Sequence, residues 1–207
     1  MPRSRPSAKE KLLDAALATI RAKGYSATTV DDLCAAAGVT KGAFFHHFAS
    51  KEALAVAAAD HWSETTGALF AGAPYHDHAD PLDRVLAYID FRGSLMGGDP
   101  AAFTCLVGTM VQETYGSFPA IREACAASIF GHAATLEADI AEAMADRGIE
   151  ADWTPQSLAA HTQAVLQGAF ILAKAKDGPQ IAIESVRHLK RYVTLLFETP
   201  QSKAQTS

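Results

Sequence analysis

Apolar residues recur at three- and four-residue intervals along almost the whole chain, and glycine, proline and capping residues cut the stripes into short lengths. Leu13, Ala16, Leu17 and Ile20 form one helical stripe. Ser7 with Glu10 makes a capping box ahead of it, and Gly24 stops it. A second helix starts at a Thr29/Asp32 box and turns Val30, Leu33, Cys34 and Ala37 inward, and Gly38 suits the left-handed residue that ends it. Thr40 opens a third helix of about two turns, with Phe44 and Phe48 one turn apart on its inner face. Ser50 caps a fourth that runs to about Phe70 and, at about 1.5 Å per residue, is roughly 30 Å long.

Further along, Asp80, Asp99 and Thr154 each precede a proline, the pattern of a cap followed by proline at the first helical position. Breaks fall at Gly97 and Gly98, from Gly116 to Pro119, at Gly148, and at Gly178 with Pro179. No segment reads as a strand, and no internal repeat or low-complexity stretch is present. The expected fold is all-α with about nine helices: a three-helix domain over residues 1–50, then a larger helical domain over 51–207.

Composition fits this picture, and charge sharpens it. The 207 residues are 49% hydrophobic, enough for a real core, and carry a net charge of −5. Residues 1–51 hold eight cations against four anions, a balance of +4, so the remainder carries −9. A basic N-terminal module on an acidic body suits attraction to DNA at one end only. Cys34, Cys105 and Cys125 are too few and too scattered for a disulfide framework or a metal site. No apolar run approaches the roughly 20 residues of a membrane span, and MPRSRPSAKEK lacks the apolar centre of a secretion signal, so a cytoplasmic location is expected.

Two helices joined by the short Gly38 turn make a helix-turn-helix, whose third helix offers its outer face to a major groove. On that face Lys41 can donate to guanine, and Gly42 lets the backbone approach the bases. Thr40 and Ala43 suit a thymine methyl or a phosphate. Adjacent His46 and His47 point about 100° apart and do not converge on one metal ion, so phosphate or groove contact suits them better. Thr29, at the head of the second helix, joins the set. Lys51 stands in the first turn of the fourth helix, where the helix dipole disfavours a cation by about 0.3–1 kcal/mol; something must compensate it.

The run VTKGAFFHHFASKEAL, residues 39–54, resembles the recognition helix and following junction of the TetR family of bacterial transcriptional regulators. It combines a glycine turn, a Lys-Gly pair, an aromatic pair, histidine before phenylalanine, and Ser-Lys-Glu opening the next helix. The resemblance implies a homodimer that binds a palindromic operator in double-stranded DNA, acts as a repressor, and is released by a small-molecule effector, with no cofactor. It assigns Lys51 to a DNA phosphate. At Phe45 the family usually has a tyrosine that bonds a phosphate; here that hydroxyl is missing, and the ring is left to pack on sugar or a thymine methyl.

The resemblance also gives the last two helices a dimer role. Their apolar seams hold Leu158, Val165, Ala169 and Leu172 on one and Ala182, Val186, Leu189, Val193 and Leu196 on the other, with Gly168 allowing close approach. An effector cavity in the larger domain is expected to draw its lining from Trp62, Phe70, Phe91, Met96, Phe103, Cys105, Met110, Tyr115, His132 and Phe170. Cys105, in the segment CLVGTMVQE, opens an alternative: a redox or electrophile sensor, its thiolate favoured by Lys174 or Lys176. His76, Asp77, His78 and Asp80 form a polar loop cluster, read as helix capping by Asp80 rather than a metal site. A helical enzyme built on His132 or His161 has no supporting motif, and a non-specific DNA-coating protein would spread its cations along the whole chain.

Overall fold

The computed structural model describes residues 6–198; Arg3 and Arg5 of the basic N-terminus lie outside the described residues. Within that range the chain is all helical, with no strand among the described residues. It forms α1 (Ala8–Lys23), α2 (Val30–Ala37), α3 (Lys41–His47), α4 (Lys51–Ala71), a single 3-10 turn (Pro74–Asp77), α5 (Pro81–Ser94), α6 (Pro100–Phe103), α7 (Leu106–Thr114), α8 (Pro119–Ala134), α9 (Glu137–Asp146), α10 (Pro155–Lys176) and α11 (Gln180–Glu198).

These are eleven α-helices among the described residues where about nine were expected, because two of the expected helices are each broken once. Between α6 and α7 the backbone turns extended at Cys105, whose Sγ accepts the Gly108 N–H at 3.4 Å and so caps α7. Cys105 is therefore a cap, not a residue within a helix. Between α8 and α9 the chain tightens to three-residue hydrogen bonds, Thr135 N–H to His132 O at 3.2 Å and Leu136 N–H to Ala133 O at 3.0 Å. Neither break carries a glycine or proline to announce it.

Contacts divide the chain into two compact units. The first comprises the chain up to Ala71 together with Thr104–Ile129; the second comprises Gly72–Phe103 and the chain from Phe130 onward. The sequence-based boundary at residue 50 falls inside the first unit. Its core joins Leu12 and Ile20 of α1, Leu33 of α2, Phe44 of α3 and Leu54 of α4 to Leu106 and Met110 of α7. Complete burial of a ring such as Phe44 stabilises by about 1.5–3 kcal/mol, so α3 is anchored from its inner face.

In the second unit α11 packs on α10 and α5, and α5 packs on α9. Gly93 of α5 faces Val186 of α11 so closely that a Cβ there would lie 3.4 Å from Val186 Cγ1. Arg84 ties α5 to Asp139 of α9 at 2.7 Å. Asp80 accepts the Leu82 N–H at 2.7 Å to cap α5 and pairs with Arg147 at 2.7 Å, which accounts for the acid in the His76–Asp80 cluster. No group of three or more metal-ligating side chains gathers among the described residues.

Candidate nucleic-acid interface

The local signals around α2 and α3 form as their spacing dictates. Thr29 and Asp32 cap each other reciprocally, and Lys23, 2.6 Å from Asp32, together with Thr29 holds that carboxyl far below the usual carboxylate range. Gly38 adopts the left-handed conformation, φ +63° and ψ +41°, and Thr40 Oγ1 then accepts the Ala43 N–H at 3.1 Å to start α3. Phe44 and Phe48 are buried, while Lys41, Gly42, His46 and His47 are exposed. Phe45 is 57% exposed, a large ring turned outward. Lys41 Nζ reaches back to Asp31 at 2.8 Å, and the His46 and His47 rings pack edge to face at 4.9 Å.

Lys51 is placed differently from its outward neighbours. Its ammonium donates to the carbonyls of Tyr25 at 3.1 Å and Thr28 at 2.9 Å and lies 4.2 Å from the centroid of the Tyr25 ring. Two carbonyl dipoles and an aromatic face provide the compensation its place at a helix N-terminus demands. Nothing in the local sequence announced Tyr25 as its partner.

The expected dimer residues split by face. Leu158, Ala169, Ala182, Val186, Leu189 and Val193 are buried within the second unit, and Val165 and Leu196 are half-buried. Leu172 is 47% exposed, and a Cβ added at Gly168 would meet nothing within 4 Å. Beside them Ile171, Tyr192 and Leu195 are also exposed, three apolar residues that the seam pattern did not single out.

The expected effector residues fall in both units. Trp62, Phe70, Cys105, Met110 and Tyr115 belong to the first: Trp62 stacks under the Arg21 guanidinium at 5.2 Å, Met110 is core, and Tyr115 is 66% exposed. Arg21 interacts electrostatically with Cys105 there. Phe91, Met96, Phe103, His132 and Phe170 belong to the second. There Phe103 and Phe170 pack at 6.2 Å, Arg92 stacks on Phe170 at 5.9 Å, and Tyr75 packs against Tyr88 and Phe91. Among these rings runs a polar chain: Gln163 Nε2 donates to Tyr88 Oη at 3.2 Å, and Tyr88 Oη lies 2.9 Å from His132 Nε2. Arg92 Nη1 lies 3.4 Å from the same nitrogen. Burial and the Arg92 charge push the His132 imidazole down from 6.5 to about 4, so it is neutral at pH 7.

A glycine-turned helix pair, its second member anchored by two phenylalanines and offering a lysine, a glycine and an aromatic ring outward, defines a helix-turn-helix DNA-binding protein. Residues 12–58 match the family described as bacterial regulatory proteins, tetR family, and residues 81–189 match the tetracyclin repressor-like C-terminal domain. The chain belongs to the TetR family and is a transcriptional regulator with a DNA-binding domain. It is 29% identical over 185 residues to the transcriptional regulator AcuR of Cereibacter sphaeroides, covering 86% of this chain and 83% of that one. A TetR transcriptional regulator from Chloroflexus aurantiacus superposes with a TM-score of 0.77 at 27% identity, over 90% of this chain and 94% of that one. A cysteine-substituted form of the regulator CifR, complexed with 26-base-pair operator DNA, shares the fold with a TM-score of 0.74 at 20% identity, over 92% and 98% of the two chains. No described helix is long and apolar enough to cross a membrane.

Proposed function

We propose that the protein is a repressor that binds a near-palindromic operator as a homodimer and is released by a small molecule bound in its larger, C-terminal part. The observation that carries this reading is the outer face of α3, where Lys41, Gly42, Phe45, His46 and His47 stand exposed above two buried phenylalanines. Thr29, Thr40 and Ala43 flank that face as backbone and thymine contacts. The CifR structure holds operator DNA, and the shared fold supports the same docking here.

The exposed apolar residues Gly168, Ile171, Leu172, Tyr192 and Leu195 of α10 and α11 support pairing with a second copy. A dimer presents two recognition helices to half-sites about 34 Å apart. The polar chain of buried Tyr88 and Gln163 with half-buried His132 and Arg92, set among Phe103 and Phe170, supports placing the effector in the second unit. Release requires that the effector bind the two states with different affinity. Cys105 supports a second reading, that of a thiol-based sensor: it is half-buried and lies in the same unit as the DNA-reading helices, with Arg21 near it.

A mobility-shift assay with DNA flanking its own gene, set against random duplex and followed by sedimentation, tests the reading. Equal shifts on both DNAs, or a monomer at the binding concentration, would refute it.

A further inference from the structure

The turn from Gly24 to Thr29 joins α1 to α2 and is gripped from two sides. Glu113, in the last turn of α7 and nearly ninety residues along the chain, reaches it with both carboxylate oxygens. Its Oε1 accepts the Tyr25 N–H at 3.2 Å and its Oε2 accepts the Ser26 N–H at 2.7 Å. The approach requires glycine at position 24. A Cβ there would lie 2.3 Å from Glu113 Oε1, and Gly24 has a φ of +87°, which side chains rarely adopt. From the other side Lys51 of α4 holds the carbonyls of Tyr25 and Thr28. Between the two grips the Tyr25 ring is buried edge-on to Phe118 at 5.5 Å. The turn ends at Thr29, the cap of α2, so its position sets where α2 begins and, through the Gly38 turn, where α3 points.

We propose that Glu113 and Lys51 are positioning residues for DNA recognition, which clamp the α1–α2 turn between α7 and α4 and so hold α3 in its reading orientation. The proposal rests on the operator-binding reading above. Apolar packing of the kind that fills this core tolerates small sliding of one helix on another. Hydrogen bonds to backbone N–H and C=O groups fix a turn far more narrowly. Lys51 spends two of its three N–H donors on the carbonyls of this turn. Burial lowers the pKa of its ammonium while the Glu113 charge across the turn opposes that shift, as expected of a cation belonging to the fold.

The test uses the full-length protein and a duplex that the wild type selects from a random-sequence pool; a wild type that selects nothing refutes the operator reading itself. Glu113→Gln keeps the size of the side chain and one neutral acceptor, and Lys51→Met keeps the aliphatic stem. Affinity for the selected and a random duplex is measured against salt, below the thermal unfolding of each variant. Each variant is expected to bind the selected duplex about tenfold more weakly, the scale of one charge-assisted hydrogen bond. Random-duplex affinity and the salt slope should not change. The double variant should lose less than the product of the two single losses, because both act through one turn.

Wild-type affinity in Glu113→Gln overturns the proposal. So does equal loss on both duplexes, or a salt slope reduced by about 0.9 for each lysine removed in Lys51→Met, the mark of a phosphate contact. A loss of melting temperature with unchanged affinity of the folded variants likewise overturns it. Should Lys51→Met not fold, Glu113→Gln, altered at an exposed side chain, decides alone.

Discussion

His132 should make the second unit sensitive to acid, and His132→Gln should remove that sensitivity. Because Tyr88 Oη accepts from Gln163, its own proton is directed at His132 Nε2, which leaves the imidazole proton on Nδ1. Protonating Nε2 would turn it against both the Tyr88 proton and the Arg92 guanidinium 3.4 Å away. In the unfolded chain the ring titrates near 6.5, and in the fold it is pushed down to about 4. Between those values the unfolded state binds a proton that the native state refuses. Stability is therefore full above about pH 7 and falls as the pH drops through 6.5 toward 4. The loss is about 2 kcal/mol by pH 5 and about 3 kcal/mol below pH 4.

Glutamine retains an acceptor near Tyr88 and Arg92 but cannot titrate. The stability gap between wild type and His132→Gln should thus shrink by about 2 kcal/mol from pH 7 to pH 5, or roughly 4–8 °C in melting temperature. Carboxylates titrate in both proteins alike and cancel in the difference. Trp153, packed on Phe197 at 5.6 Å, reports on the second unit once Trp62 of the first is replaced by phenylalanine. Fluorescence-detected unfolding at fixed protein concentration therefore reads the gap directly. A gap that stays constant from pH 7 to pH 5 would mean that His132 accepts a proton inside the fold, and would refute the hydrogen-bond chain.

Leu172→Glu, at an exposed position of α10, should leave the unit folded and give a monomer by sedimentation, whereas Val193→Glu, fully buried, should cost about 3–5 kcal/mol and unfold it. A Leu172→Glu dimer of wild-type affinity would place the interface elsewhere. Lys41→Ala should lose about 1–3 kcal/mol of discrimination at one base pair per half-site, and Asp31→Asn, which releases the Lys41 ammonium from its 2.8 Å pair, should strengthen binding to all DNA. Equal weakening of selected and random DNA by Lys41→Ala would make it a phosphate contact. Cys105 should be alkylated before Cys34 and Cys125, both buried and both pushed up by burial, Cys125 to about 12. Mass spectrometry after brief labelling decides this, and first modification at Cys34 or Cys125 would refute it.

The helix boundaries of the N-terminal part were legible because their signals are local. Capping boxes at Ser7/Glu10 and Thr29/Asp32, the left-handed Gly38 and the Ser50 cap each act within three or four residues, so spacing alone reveals them. The inward Phe44 and Phe48 and the outward Lys41 and Phe45 follow from the same period. The breaks at Cys105 and Thr135 escaped notice because no glycine or proline marks them.

Only the tertiary structure could say which side of α10 and α11 faces the chain's own core. Both helices carry apolar residues on more than one face, and a period does not name the partner that covers each: Val186 and Val193 went inward, Leu172 and Leu195 outward. Only the tertiary structure, too, brought α7 into the core of the DNA-reading helices and set Glu113 and Lys51 on one turn. Contacts between residues so far apart in the chain depend on how helices pack, and packing leaves no periodic mark in sequence.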